Sequence, residues 1–165
     1  MTDVHIIGVG TTRFTRQSER GQQDMAEEAV GEALKDAGLE IGAIEAVFSS
    51  AARQRSGNGQ RCMKDMALNG APIVNVENAC ASGPTAAREA YAWIKAGLCD
   101  IALAFGTETL SDMPKGPLEQ PAGRWMIDAG LTLPTWYAMQ ASRHMAEHGL
   151  TREQLSGLAE CRLLV

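Results

Sequence analysis

Short apolar runs that alternate with stretches of helical periodicity constrain this chain more than any other feature. The runs are Val4–Val9, Ala46–Ser49, Ile73–Glu77 and Ile101–Phe105. Between the first two, Met25, Ala26, Ala29, Val30, Ala33, Leu34 and Ala37 recur at helical spacing across Gln22–Ala37, and Gly38 stands where a helix-terminating glycine belongs. A shorter helical pattern, Arg61–Leu68, precedes the third run, and a longer one, Pro84–Ala96, precedes the fourth. Strands joined through helices pair in parallel, by right-handed crossovers. The alternation therefore predicts an α/β fold, with four strands in a mostly parallel sheet and helices on both faces.

The third run leads directly to chemistry. Ile73, Val74 and Val76 form a β-branched strand that passes into Asn78-Ala79-Cys80-Ala81-Ser82-Gly83 and then into the alanine-rich helix. A cysteine between a buried strand and a helix start meets unpaired backbone N–H groups and the positive end of the helix dipole, both of which favour thiolate. Small neighbours at Ala79, Ala81 and Gly83 leave room for an acyl group, and nearby N–H groups suit an oxyanion. Cys80 is thus the candidate nucleophile; the competing reading is a buried structural cysteine. Cys62, Cys99 and Cys161 read most simply as small apolar residues, and the absence of any CxxC pair suggests neither a zinc knuckle nor a disulfide framework.

Asn78-Ala79-Cys80-Ala81-Ser82-Gly83 with its alanine-rich helix resembles the nucleophile segment of the thiolase superfamily, and within it the sterol-carrier-protein-x type thiolases and the lipid-transfer-protein-like aldolases. Gly106-Thr107-Glu108-Thr109-Leu110-Ser111-Asp112-Met113-Pro114 is similar to the family's strand-end Gly-x-Glu-x-Met-Ser segment, with Leu110 where Met is common. Val4-His5-Ile6-Ile7-Gly8-Val9-Gly10 with Arg13-Phe14 resembles its first strand and loop. The resemblance implies a thiolase-like half-fold with strand order 3-2-1-4 and part of an inserted loop domain. It implies an acyl-CoA acyltransferase in which Cys80 takes the acyl group from a thioester. Coenzyme A and acyl-CoA are then substrates, with no tightly bound cofactor. It further implies a homodimer through the Ile73–Asn78 strand and a small acyl-CoA-binding partner subunit. A retro-aldol cleavage of CoA thioesters and a non-catalytic, thiolase-like interaction subunit are the rival readings.

The bulk properties exclude other classes. A net charge of −5 and a pI near 5.2 argue against a nucleic-acid or anionic-membrane surface. No apolar run approaches the length of a membrane span and no secretory leader pattern opens the chain, so the expected location is cytoplasmic. Gly8-Val9-Gly10 lacks the third glycine and the following helix of a dinucleotide fingerprint. His144-Met145-Ala146-Glu147-His148 matches an inverted zinc-peptidase pattern, but two polar residues on a solvated helix face are the simpler account. Arg53, Arg55 and Arg61 read as solvated loop charges, with a coenzyme A phosphate as the alternative.

Beyond Gly106 the regularity stops. Pro114, Gly116, Pro117, Pro121 and Gly123 mark a long excursion that concentrates Trp125, Met126, Leu131, Trp136 and Tyr137 nearby, as binding loops do. Helical patterning resumes at Thr135–His148, and Thr151 with Gln154 has the spacing of a capping box. The expected division is an α/β core over residues 1–110 carrying the nucleophile and a partial loop domain over 111–165. By the resemblance, the C-terminal half of the family fold, with its Asn/His motif and second acid/base groups, is absent. Glu160-Cys161-Arg162-Leu163-Leu164-Val165 departs from the family's pattern, which suggests a truncated or frameshifted frame or a fragment.

Overall fold

The computed structural model describes residues 3–15, 20–52, 56–68, 70–109 and 124–160. The chain divides into two compact units, Met1–Met113 and Pro114–Val165. In the first, the elements run α1 (Gln22–Ala37), β1 (Ala46–Ser50), α2 (Asn58–Met63), β2 (Ile73–Val76), α3 (Ser82–Lys95) and β3 (Ala102–Gly106). The second contains α4 (Arg124–Asp128), α5 (Leu133–His148) and α6 (Arg152–Glu160).

The strand order is β2-β1-β3, and both pairings are parallel. Val47 sits opposite Ile73 on one side and Leu103 on the other. Every residue of β1 is buried, as a central strand covered on both faces requires. Alternation along it feeds two cores. Ala46 and Phe48 join Val76, Ala86, Ala90 and Cys99 under α3, with the Trp93 ring edge-on to Phe48 at 5.2 Å. Val47 joins Val30, Ile44 and Met63 on the face that α1 and α2 cover.

α1 has the limits that its periodicity predicts, and it ends with Gly38 in the left-handed region at φ 67°. The first predicted strand is not a strand. Direct pairing of β1 with β3 occupies the place expected for Val4–Val9, so the order 3-2-1-4 is corrected to three strands with that segment outside the sheet. The segment lies instead along α1. Gly8 and Gly10 press so closely on the α1 backbone that a Cβ at either would collide with the carbonyl oxygens of Ala33 and Ala29. Two α1 carboxylates take up its backbone donors: Val9 N–H donates to Asp36 Oδ2 at 3.0 Å, and Thr11 N–H to Glu32 Oε2 at 3.1 Å. Its apolar side chains are left facing outward, Ile6 at 88 % and Phe14 at 95 % exposure.

The second correction concerns α2, which begins at Asn58 rather than Arg61 and ends at Met63 rather than Leu68. Gly57, at φ 66°, turns the chain into it, and Gly59 lets it lie against the sheet, where a Cβ would stand 2.6 Å from both Ser49 Cβ and Ile73 Cγ2. In the second unit, α5 starts two residues before the Thr135 limit and ends at Gly149 in the left-handed region. The capping box at Thr151 forms reciprocally: Thr151 N–H donates to Gln154 Oε1 and Gln154 N–H to Thr151 Oγ1. The proline-rich stretch 111–123, Arg53, Arg55, Leu110 and Cys161 lie outside the described residues.

Candidate active site

Because all three strands run the same way, their carboxyl ends share one edge of the sheet. Open α/β sheets bind ligands outside that edge. Three segments gather there: the Ala51–Ala52 loop after β1, the Glu77–Ala81 turn after β2, and Thr107–Thr109 after β3. Glu108 ties the first to the third, its Oε2 accepting the Ala52 backbone N–H at 2.8 Å. Ser50 Oγ donates to the Phe105 carbonyl at 3.1 Å and Thr107 N–H to Ser50 O at 3.2 Å, so the β1–β3 ladder is held to its end.

The Cys80 turn is built by hydrogen bonds within six residues. Ala79 takes φ 45°, a left-handed conformation that a residue with a Cβ adopts only when its surroundings impose it. Here Glu77 Oε1 accepts the Ala79 N–H at 2.7 Å. The carbonyls of Asn78 and Ala79 accept the N–H groups of Ala81 and Ser82 at 2.9 and 3.1 Å. Ser82 is buried and locks the turn from inside: its Oγ accepts the Asn78 N–H at 2.8 Å and donates to the Ala79 carbonyl at 2.7 Å. Asn78 Nδ2 donates to Thr85 Oγ1 at 3.0 Å, and that hydroxyl donates to the Ala81 carbonyl at 2.8 Å, which fastens the turn to the first turn of α3. Cys80 stands exposed on this junction two residues before α3 begins. Among the described residues no histidine or carboxylate hydrogen-bonds its sulfur.

The other two described thiols are placed differently. Burial raises the Cys62 pKa above its ordinary value, partly offset by the Thr107 hydroxyl 3.7 Å from the sulfur. Burial also raises that of Cys99, assisted by the negative charges of Glu45 and Asp100. Both are therefore held as thiols, and both are shielded from solvent. On α5 the His144 and His148 rings stand 4.5 Å apart on an exposed face, and Glu147 pairs with Arg143. Among the described residues no three His, Cys, Asp or Glu side chains converge as a metal ligand set would. Ser82 and Asn78 are the residues that sequence reading passed over as positioning groups. Their spacing, four apart across a helix start, is the signal that could have found them.

Fold and site together define a parallel α/β domain that presents a cysteine on a strand–turn–helix junction. The chain belongs to the thiolase family: residues 4–160 match the family's "Thiolase, N-terminal domain". It is 35 % identical to the acetyl-CoA acetyltransferase of Methanothermobacter thermautotrophicus over 94 % of its own length and 43 % of that protein's. It is 31 % identical to sterol carrier protein 2 of Bos taurus, over 93 % of the chain and 31 % of the relative. The chain thus spans less than half the length of these relatives. Among solved structures it is similar to the Ltp2-ChsH2(DUF35) aldolase, with a TM-score of 0.63 and 27 % identity over 88 % of this chain and 38 % of that one.

Proposed function

We propose that this chain supplies the acyl-accepting half of a thiolase-type acyl-CoA acyltransferase, with Cys80 as the nucleophile. The exposed position of Cys80 on a constrained turn at the carboxyl edge of the sheet, just ahead of α3, carries the reading. In the cleavage direction, the Cys80 sulfur adds to the 3-oxo carbonyl carbon of a 3-oxoacyl-CoA after its thiol proton has been taken up by a base. The C2–C3 bond then breaks, the electron pair goes to C2, and C2 gains a proton to leave acetyl-CoA. Coenzyme A finally takes the acyl group from sulfur and restores the thiol. Backbone N–H groups at the start of α3 suit the oxyanion that forms on addition. The base is a group from the remainder of the family fold, since nothing described here hydrogen-bonds the sulfur. Incubation with acetyl-CoA followed by intact-protein mass spectrometry tests the reading. A gain of one acetyl group, absent in Cys80→Ser, supports it; acetylation that survives Cys80→Ser overturns it.

A second reading, retro-aldol cleavage of a CoA thioester, draws on the structural likeness to an aldolase at a TM-score of 0.63. Turnover that needs no free coenzyme A and leaves Cys80 unacylated would select it. That aldolase is named for two components, which favours a small partner subunit for this chain as well. The outer edge of β2, next to no other strand of this sheet, is the surface we assign to a second copy of the chain.

A further inference from the structure

The outer edge of β2 carries a cap made of side chains. Val47 N–H donates to the Pro72 carbonyl, and Val47 is in register with Ile73. Backbone groups alternate between the two sides of a parallel strand, so Pro72 and Val74 turn theirs toward β1 while Ile73 and Asn75 turn theirs outward. Gln60, in the first turn of α2, reaches that outward side: its Nε2 donates to the Ile73 carbonyl at 3.2 Å. Asn75 fixes which end of the Gln60 amide arrives there. Asn75 Oδ1 accepts the Gly59 N–H at 2.6 Å, which leaves Asn75 Nδ2 to donate to Gln60 Oε1 at 2.8 Å and Gln60 Nε2 to face the carbonyl. The two amides thus form a chain from the α2 backbone to the edge of the sheet. Ile73–Val76 itself has neither a charged side chain nor a proline, two of the usual guards of an exposed edge.

We propose that Gln60 is an autoinhibitory cap on the β2 edge, which holds the Ile73 carbonyl until a second copy of the chain pairs there and takes that acceptor with a backbone N–H. The inference rests on the assignment of this edge to a second copy. Pairing exchanges a side-chain donor for a backbone donor at Ile73, so that carbonyl contributes little to the net gain. The cap therefore weakens association through the edge without closing it. Gln60 is exposed, so its side chain leaves the edge without displacing the core beneath α2.

Gln60→Ala and Gln60→Met in the 165-residue chain test this. Alanine removes the side chain beyond Cβ, whereas methionine keeps its length and removes only the amide. Sedimentation velocity over a dilution series gives the association constant. Residue-resolved amide exchange at Ile73 and Asn75 reports whether the copies meet at the β2 edge. The expected result is association about three- to tenfold tighter in both variants, the equivalent of one net hydrogen bond. Ile73 and Asn75 should then gain protection at correspondingly lower concentration, with the parent circular dichroism retained. Unchanged or weaker association in either variant, with protection still gained at both amides, overturns the cap and leaves the dimer assignment standing. Absence of concentration-dependent protection at Ile73 and Asn75 in all three chains overturns both.

Discussion

Ser82 Oγ accepts the backbone N–H of Asn78 at 2.8 Å, and this one contact joins the end of a strand to the start of a helix across the cysteine between them. The hydroxyl is buried and also donates to the Ala79 carbonyl, so no water can replace it without opening the turn. Ser82→Ala should therefore cost about 1–2 kcal/mol of stability, seen as a lower urea midpoint at unchanged slope. An unchanged midpoint would show that the turn holds itself through backbone bonds alone.

The thiols should separate by reactivity. Limiting iodoacetamide on the folded chain, followed by peptide mapping, should label Cys80 before Cys62 and Cys99, because of these three described thiols only Cys80 is exposed and the other two have pKa values raised by burial. First labelling of Cys62 or Cys99 would remove the basis for the nucleophile assignment.

The same two buried thiols set an alkaline limit. Their folded pKa values exceed the unfolded ones, so the native state holds protons that the unfolded chain releases. Their contribution is intact below the unfolded thiol pKa of about 8.5 and falls as pH rises from there through the folded values. Urea midpoints should decline above that pH, and Cys62→Ala with Cys99→Ala should flatten the decline. A decline equally steep in the double variant would assign it to other groups.

Much of this architecture was legible beforehand, for local reasons. The limits of α1 follow from its periodicity and from Gly38, and the Cys80 junction follows from a β-branched strand running into small residues. Val4–Val9 was misread because an apolar run records hydrophobicity, not pairing. Whether it becomes a strand depends on which edge is vacant, and β2 and β3 already occupy both edges of β1. The start of α2 was obscured because Gly57 and Gly59 look like helix breakers. Their roles, a left-handed entry and a close approach to Ser49 and Ile73, depend on the sheet behind them.

Exposed apolar side chains predict association. Ile6, Ile7, Val9 and Phe14 face outward on the segment along α1, and Tyr91 and Leu98 do so on and after α3. Isolated apolar residues are ordinary on a surface, but a run of them is not. Light scattering on the purified chain should report a mass above 17.6 kDa at high micromolar concentration. A monodisperse monomer would mean that these faces are tolerated in water and would weaken the dimer assignment at β2.

The central place of β1 also has a consequence for how the chain is made. Ala46 must wait for Ala102, and Val47 for Ile73, so on a ribosome the strand emerges long before either neighbour. The β2 side can pair first, while the β3 side stays an open, unpaired edge until Gly106 has left the exit tunnel. Non-local parallel pairing of this kind is slow and leaves the nascent chain prone to aggregation. The interval between synthesis of Ser50 and Gly106 is thus the period in which this domain most needs a chaperone.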